Sequence, residues 1–196
     1  MTISFIGGGV MAESFIAGVL KEGLFSSDQI YVSDPIADRR KYLTDTYGVN
    51  CLKENIDILE KKGKILLAVK PQTLPEVYKD LKGKISPERP VISIVAGSKS
   101  SDLSKGLEHQ QIIRVMPNTP SQIGKGMLVW TSTDEVDPTA IGEIASILKT
   151  LGEEYYVHDE KYMDMATALS ASGPAYVFLF IQSLIDSGVY LGMPRD

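Results

Sequence analysis

The stretch SFIGGGVMAES, residues 4–14, decides the fold class of this chain. A short apolar run leads directly into three consecutive glycines, and a helix-forming segment follows. The glycines fit the pattern G-x-G-x-x-A at Gly7, Gly9 and Ala12. Such a loop turns tightly out of a strand, lets a diphosphate approach the backbone and keeps the helix close to the sheet. The stretch therefore predicts a dinucleotide-binding loop at a helix N-terminus, the alternative being a tight turn without a ligand.

Short apolar runs alternate with segments of helical period over the first 159 residues. Continuous apolar strands separated by helices indicate a parallel sheet covered on both faces. Right-handed crossovers then favour an α/β fold with a Rossmann-like, doubly wound, mostly parallel sheet. The predicted strands are 3–6, 30–33, 49–51, 65–69, 91–95, 112–116, 126–132 and 154–158, and the predicted helices are 10–20, 37–47, 55–60, a helix that starts after Pro71, and 137–151.

The pattern changes after residue 159, where the strand signal ends. Residues 161–172 predict a helix, Gly173-Pro174 is expected to break it, and a second helix follows that is apolar on every side. A helix of that kind must be buried on several sides. About 35 residues cannot supply that burial alone, so either a partner subunit or further sequence is expected to cover the helix. We expect a dinucleotide-binding domain at 1–159 and the first helices of a second, all-α domain at 160–196. Its apolar stretch AYVFLFIQSLI is expected to be too short to span a bilayer.

The composition limits which binding partners and which cellular compartment we expect for this chain. The net charge is −5 with a pI near 5.1, and no dense basic run is present, so nucleic acid and anionic membrane surfaces are poor partners. A single cysteine, Cys51, allows no internal disulfide and gives no metal-ligand pattern, which fits a reducing cytoplasm. The opening MTISFIGGG lacks the basic leader of a signal peptide.

The end of the second predicted strand bears on the choice of coenzyme. Asp34 lies 22 residues after Ala12, close to where an acidic residue binds the ribose 2′-hydroxyl of NAD. Arg39 and Arg40 follow and could meet the 2′-phosphate of NADP. Asp34 is equally typical of an Asp-Pro turn. The residues leave NAD and NADP both open.

Polar side chains also follow the later strands, at the edge where ligands of such sheets bind. Lys70, Asn118 and Thr119 are the candidate catalytic residues, and each could equally be a plain loop residue. His109 and His158 are expected at the surface, so no His-Asp acid–base pair is predicted. A substrate that already carries its proton, such as an iminium, fits better, because it accepts a hydride without an acid at the carbon.

Together these motifs resemble the pyrroline-5-carboxylate reductase family. The matching segments are FIGGGVMAES, DP, ILLAVKPQ, VISIVAG, RVMPNTP and SASGPAYVFLFIQSLIDSGVYLGMPR, in the order of the family. The resemblance implies reduction of 1-pyrroline-5-carboxylate to L-proline by NAD(P)H, the last step of proline biosynthesis. It also implies NADP as coenzyme, with NAD possible, and a homodimer or larger homo-oligomer formed through the C-terminal helices.

The resemblance assigns roles residue by residue. It implies that Met116, Asn118 and Thr119 flank the nicotinamide and the substrate and that Lys70 lines the coenzyme cleft. It also implies that Ser172, Gly173 and Pro174 face the substrate. Family members continue into a further helical part with a SPGGTT-like segment, so these 196 residues are expected to be part of a longer enzyme, with half of the substrate site. The implied coenzyme residues are Ile6, Gly7, Gly8, Gly9, Val10, Met11, Ser33, Asp34, Arg39, Asn55, Ala68, Val69, Lys70, Pro71, Ala96, Gly97 and Met116.

Two other functions share parts of this pattern. A related imine or 2-hydroxyacid reductase would have the same glycine loop, and a substrate panel separates it from the first interpretation. A coenzyme-binding protein without catalysis would bind the coenzyme and show no turnover. An interaction module built on the apolar helix at 175–190 would leave the polar residues of the cleft without a purpose.

Overall fold

A computed structural model of the chain describes residues 2–195, and an eight-stranded sheet runs through its centre. The strand order is β3-β2-β1-β4-β5-β6-β7-β8. Strands β1 to β6 are parallel, β7 is antiparallel to β6, and β8 is parallel to β7. The strands are β1 (Ile3–Ile6), β2 (Ile30–Ser33), β3 (Asn50–Leu52), β4 (Lys64–Leu67), β5 (Val91–Ser93), β6 (Ile112–Met116), β7 (Gly126–Ser132) and β8 (Gly152–Tyr156).

Helices connect the strands and continue to the C-terminal end. Short 3-10 helices span Ser27–Gln29, Asn55–Glu60, Pro71–Thr73 and Thr119–Ile123, and a π-helical turn spans Thr167–Ala171. The α-helices are α1 (Val10–Lys21), α2 (Ala37–Tyr47), α3 (Leu74–Leu81), α4 (Ser100–Leu107), α5 (Pro138–Lys149), α6 (Lys161–Ala166) and α7 (Gly173–Tyr190).

The sheet is covered on both faces, as predicted. Successive strand residues point to opposite faces, so Phe5 and Ile6 enter different cores. Phe5 packs in the cluster that α1, α2 and α5 cover. Ile6 packs in the cluster that α3 and α4 cover. The doubly wound, mostly parallel α/β fold is confirmed.

The order of the strands places the site. The chain leaves β1 toward β2 on one side, and β4 lies on the other side of β1. Loops that leave β1 and β4 therefore diverge to opposite faces and open a crevice at the carboxyl ends of these strands. The glycine loop stands at this point, because it connects β1 to α1.

Several predicted boundaries differ from the structure. The strand predicted at 49–51 lies one residue later, β4 and β5 end earlier than 69 and 95, and the predicted helix at 55–60 is a 3-10 helix. Helix α4 was not predicted from the sequence. It buries only Leu103 and Leu107, and two apolar residues are too few to give a helical period against six mostly polar neighbours.

The C-terminal segment is more continuous than predicted. Gly173-Pro174 does not break the helix. A π-helical turn and the single bend residue Ser172 lead from α6 into α7, and Pro174 stands in the first turn of α7, where its missing N–H costs nothing. The side chains of α7 are exposed, among them Phe178 and Leu179 at 64% and 68%. Residues 2–195 therefore leave this apolar helix uncovered.

Candidate coenzyme-binding site

Gly7 makes the turn out of β1 that no other residue could make without strain. Its φ is +91°, and its N–H donates to the Ser33 carbonyl at 2.8 Å. A Cβ at this position would lie 2.8 Å from the carbonyl oxygen of Ala68. The loop after β1 is thus packed directly against the loop after β4, which brings two predicted groups of coenzyme residues together.

The next two glycines differ in what surrounds them. A Cβ at Gly8 would lie 2.8 Å from Cδ1 of Leu43, so helix α2 excludes a side chain there. A Cβ at Gly9 would meet no atom of residues 2–195 within 4 Å. The space beside Gly9 is therefore open, and a ligand could approach the backbone there.

The N-terminus of α1 opens into that space. Gly9 is the N-cap residue, and no side chain caps the helix. The amides of Val10 and Met11 have no intrahelical acceptor, and they stand at the positive end of the helix dipole. Ala12 is fully buried, which lets α1 lie close to the sheet. This arrangement fits a diphosphate, which supplies the acceptors and the negative charge that the helix end lacks.

Asp34, at the end of β2, holds the glycine loop. One carboxylate oxygen accepts the N–H of Gly8 and the other accepts the N–H of Ile36, both at 2.9 Å. The second bond closes a turn over Pro35, so the Asp-Pro turn that the sequence also allowed is present. The carboxylate lies beside the loop, where the ribose of a dinucleotide is bound in this fold.

The two arginines after β2 are both engaged with the loop region. Arg39 donates from Nε to the Gly8 carbonyl and forms an ion pair with Glu13. Arg40 donates from Nη1 to the Asp34 carbonyl at 2.7 Å. Both guanidinium groups therefore lie at the end of β2, beside the glycine loop.

Asn55 joins this side of the crevice from the 3-10 helix after β3. Its Oδ1 accepts the hydroxyl of Ser33 at 2.9 Å, and its Nδ2 donates to Asp80 at 2.9 Å. Ser33 and Asn55, predicted separately, are thus direct neighbours at the end of β2.

The predicted residues after β4 and β5 form the opposite wall. Ala68 donates its N–H to the Ile6 carbonyl at 2.8 Å, and Val69 lies against Gly7. Lys70 is exposed, and its ammonium group makes no hydrogen bond or ion pair within residues 2–195, although its carbonyl accepts the N–H of Thr73 at 2.9 Å. Exposed residues of the same wall are Pro71, Ala96 and Gly97.

The loop after β6 connects the crevice to the C-terminal helices. Asn118 accepts the N–H of Met127 at 3.0 Å through Oδ1 and donates from Nδ2 to the Ser170 carbonyl at 3.4 Å. Thr119 is exposed beside it, and Met116 packs on a small cluster that includes Met163 of α6. The predicted catalytic loop therefore touches the helical segment.

The predicted substrate residues lie at the bend between the π-helical turn and α7. The hydroxyl of Ser172 donates to the Thr167 carbonyl at 3.0 Å, and Gly173 and Pro174 start α7 half-buried. The contact of Asn118 with Ser170 places this bend next to the loop after β6.

The histidines divide into one confirmed and one wrong prediction. His158 is exposed, as expected. His109 is 3% exposed, and its Nε2 lies 2.7 Å from the Arg89 carbonyl oxygen. Burial lowers the pKa of His109 more than this hydrogen bond raises it. It precedes β6 and so lies at the amino edge of the sheet, away from the crevice.

Sequence reasoning missed two charged residues that organise the region. Glu13 on α1 pairs with Arg39, and Glu160 before α6 pairs with Arg114 of β6, whose side chain is 7% exposed. These pairs are 26 and 46 residues apart in the chain. No local pattern marks such partners, because only the packed fold brings them together.

Comparison with known proteins places both parts of the chain. Residues 2–97 match a family described as NADP oxidoreductase, coenzyme F420-dependent, and residues 160–196 match pyrroline-5-carboxylate reductase dimerisation. Pyrroline-5-carboxylate reductase of Synechocystis is 40% identical over 194 residues, which are 98% of this chain and 72% of that protein. The chain belongs to the pyrroline-5-carboxylate reductase family.

Solved pyrroline-5-carboxylate reductases have the same fold. The Coxiella burnetii enzyme superposes with a TM-score of 0.89 at 31% identity, covering 99% of this chain and 72% of that one. The Plasmodium falciparum enzyme, solved with NADP bound, gives 0.86 at 30% identity and covers 100% and 71%. The resemblance inferred from the motifs is confirmed.

Family membership also explains the exposed C-terminal helix. The helical segment Lys161–Tyr190 has 30 residues and is long and apolar enough to cross a membrane by length and composition. The stretch AYVFLFIQSLI is only part of this segment, because α6 and α7 continue into each other. The match of residues 160–196 to the dimerisation family favours a protein surface over lipid as its cover.

Proposed function

We propose that this protein reduces 1-pyrroline-5-carboxylate to L-proline with NAD(P)H, the last step of proline biosynthesis. The observation that carries the proposal is the free space over Gly9 at the uncapped N-terminus of α1, in a chain 40% identical to a named reductase. The glycine loop supplies the coenzyme site, and family membership supplies the substrate.

The coenzyme is proposed to be NADP, with NAD as the alternative. The amides after Gly9 would hold the diphosphate, and Ser33, Asp34, Arg39 and Asn55 would contact the adenosine ribose, a proposal supported by their contacts with one another and with the glycine loop at the end of β2. The Plasmodium relative with NADP bound supports this choice. The wall formed by residues 68–71 and 96–97 would face the nicotinamide half, together with Met116.

The coenzyme supplies a hydride for the imine carbon of the substrate. The residues of the chain then need only align the two molecules and exclude water. Asn118 is fixed at both ends of its amide, so it keeps the loop after β6 in place beside Ser172 and its neighbours. The ammonium group of Lys70, at the opposite wall of the crevice, has no partner among residues 2–195, and we propose that it binds an anionic group. Thr119 would lie beside the substrate.

We propose that a second copy of the chain covers α7. We also propose a domain boundary between residues 159 and 160, with residues 1–159 as the coenzyme-binding domain and 160–196 as the start of the dimerisation domain. The boundary agrees with the first residue of the dimerisation match. Cover by protein also supports a cytosolic location. Light scattering should give a dimer or larger for the wild type, and Phe178→Glu should lower the mass, whereas Thr46→Glu on exposed α2 should not.

The deciding experiment follows NADPH oxidation with 1-pyrroline-5-carboxylate and with a panel of 2-keto acids. Turnover of the cyclic imine alone supports the proposal. Turnover of keto acids alone would favour a related reductase, and coenzyme binding without any turnover would favour a binding protein. Lys70→Ala should weaken binding or turnover, and unchanged values for both would remove Lys70 from the site.

A further inference from the structure

The carboxylate of Glu13 is the centre of a polar cluster on α1 and α2. Its Oε2 forms an ion pair with Nη2 of Arg39, and its Oε1 accepts the hydroxyls of Tyr42 at 2.9 Å and Tyr47 at 2.8 Å. The side chains of Arg39 and Glu13 are 23% and 19% exposed. The pair is therefore partly shielded from solvent, and it is stronger than an open surface pair.

Arg39 connects this cluster to the coenzyme loop. Its Nε donates to the Gly8 carbonyl, and the Tyr42 ring lies 5.0 Å from the guanidinium carbon. The N–H of the same Gly8 donates to Asp34. Since the ribose of a dinucleotide lies beside Asp34 in this fold, the guanidinium of Arg39 stands within the ribose region.

Glu13 carries its charge at neutral pH. Burial acts to raise its pKa, but the hydrogen bonds from Arg39, Tyr47 and Tyr42 outweigh it and leave the pKa lowered. Burial and the hydrogen bond to Glu13 raise the pKa of Tyr47 to about 12, so its hydroxyl remains a donor. Arg39 therefore faces a full negative charge on one side and a carbonyl oxygen on the other.

We propose that Glu13 determines coenzyme selectivity, because it neutralises Arg39 and keeps that guanidinium on the loop instead of on the 2′-phosphate of NADPH. The inference rests on the proposed function and names a residue that limits the preference for NADPH over NADH. The two coenzymes differ only by the 2′-phosphate, so a charge at the ribose acts on NADPH and leaves NADH almost unchanged.

The test compares the dissociation constants of NADPH and NADH by fluorescence titration of the purified protein. Glu13→Gln keeps the shape of the side chain and removes its charge. It should raise the ratio of NADPH to NADH affinity about three- to tenfold, the size expected when one partly shielded charge is removed. Glu22→Gln, an exposed carboxylate at the other end of α1, should leave the ratio unchanged.

A double-mutant comparison shows whether Glu13 acts through Arg39 or through a direct effect of its own charge on the coenzyme. In the Arg39→Met background, Glu13→Gln should change the ratio less than twofold, because the released cation is gone. Thermal unfolding checks that each variant is folded, and Glu13→Met, uncharged and of similar length, replaces Glu13→Gln if that variant does not fold.

An unchanged or lowered ratio in Glu13→Gln would overturn the inference, and so would a rise that persists without Arg39. In both cases the wild type still binds the coenzymes, and the proposed function is unaffected. If the wild type bound neither coenzyme, the proposed function would be wrong and this inference with it.

Discussion

Gly9→Ala should strongly weaken binding of the coenzyme without disturbing the fold. Gly9 has φ −65° and ψ −178°, which alanine adopts freely, and a Cβ there meets no protein atom within 4 Å. Alanine is a poorer N-cap than glycine by about 0.5 kcal/mol. It also lowers the entropy of the unfolded chain, which is worth about 0.4–1 kcal/mol in the opposite direction. The free energy of unfolding should therefore change by less than about 0.5 kcal/mol.

The same methyl group occupies the space where a diphosphate must approach the backbone. A diphosphate displaced by this methyl group would lose one or two charge-assisted hydrogen bonds from the amides of the first turn of α1. The loss in binding free energy is about 2–4 kcal/mol in all. The dissociation constant of NADPH should rise about 30- to 1,000-fold. Fluorescence titration measures the binding, and thermal unfolding measures the stability of the same sample.

Two other glycines serve as controls. Gly142→Ala, in α5 with no atom within 4 Å of the new Cβ, should leave NADPH binding unchanged and stabilise the helix by about 0.5–1 kcal/mol. Gly7→Ala, at φ +91° and 2.8 Å from the Ala68 carbonyl oxygen, should destabilise the fold itself by about 2–4 kcal/mol. A folded Gly9→Ala variant that binds NADPH within threefold of the wild type would refute the placement of the diphosphate.

Three further predictions concern stability. Glu160→Gln should lower the free energy of unfolding by about 1–2 kcal/mol, because Arg114 stays buried while Glu160 is partly solvated. Burial acts to raise the pKa of Glu160, but the hydrogen bond from Arg114 outweighs it, so the pKa is lowered. The stabilisation by the Glu160–Arg114 pair should therefore disappear as pH falls below 4.5, which urea titrations at several pH values measure. The pKa of His109 is lowered in the folded state, so as pH falls the unfolded state binds a proton at this imidazole before the folded state does. The wild type should therefore lose stability below about pH 6.5. The His109→Gln variant should lose less of its free energy of unfolding between pH 7.5 and 5.5 than the wild type does. Gly106→Ala should destabilise the protein despite better helix propensity, because the new Cβ would lie 2.5 Å from the Tyr78 ring; a higher melting temperature would contradict this packing.

The fold could be predicted where the local signal was strong. The strand at Ile30–Ser33 and the helix at Ala37–Tyr47 have the predicted bounds, because apolar runs and turn residues mark both ends. Helix α4 escaped prediction, since its packing onto the sheet and not its own periodicity makes it a helix. The break expected at Gly173-Pro174 failed because the π-helical turn before it re-aims the chain without ending the helix.

The candidate site shows the same division. Asp34, Lys70, Asn118 and Thr119 were singled out because they follow strands, which is a property of the chain order, whereas residues such as Asn55 came from the family resemblance. What those residues do there was not predictable: the carboxylate of Asp34 holds two backbone amides, and Arg39 is held by Glu13. The surface position expected for His109 was wrong because its polar neighbours in the chain do not reveal the Arg89 carbonyl.

By itself the sequence determined the glycine loop after the first strand, the alternation of strands and helices and the family, because short runs of neighbouring residues carry each of these signals. The tertiary structure alone decided which charges meet, such as Glu13 with Arg39 and Arg114 with Glu160. The physical reason is range: backbone conformation and apolar periodicity act over a few residues of chain, whereas hydrogen bonds and ion pairs depend on distances through space that exist only after packing.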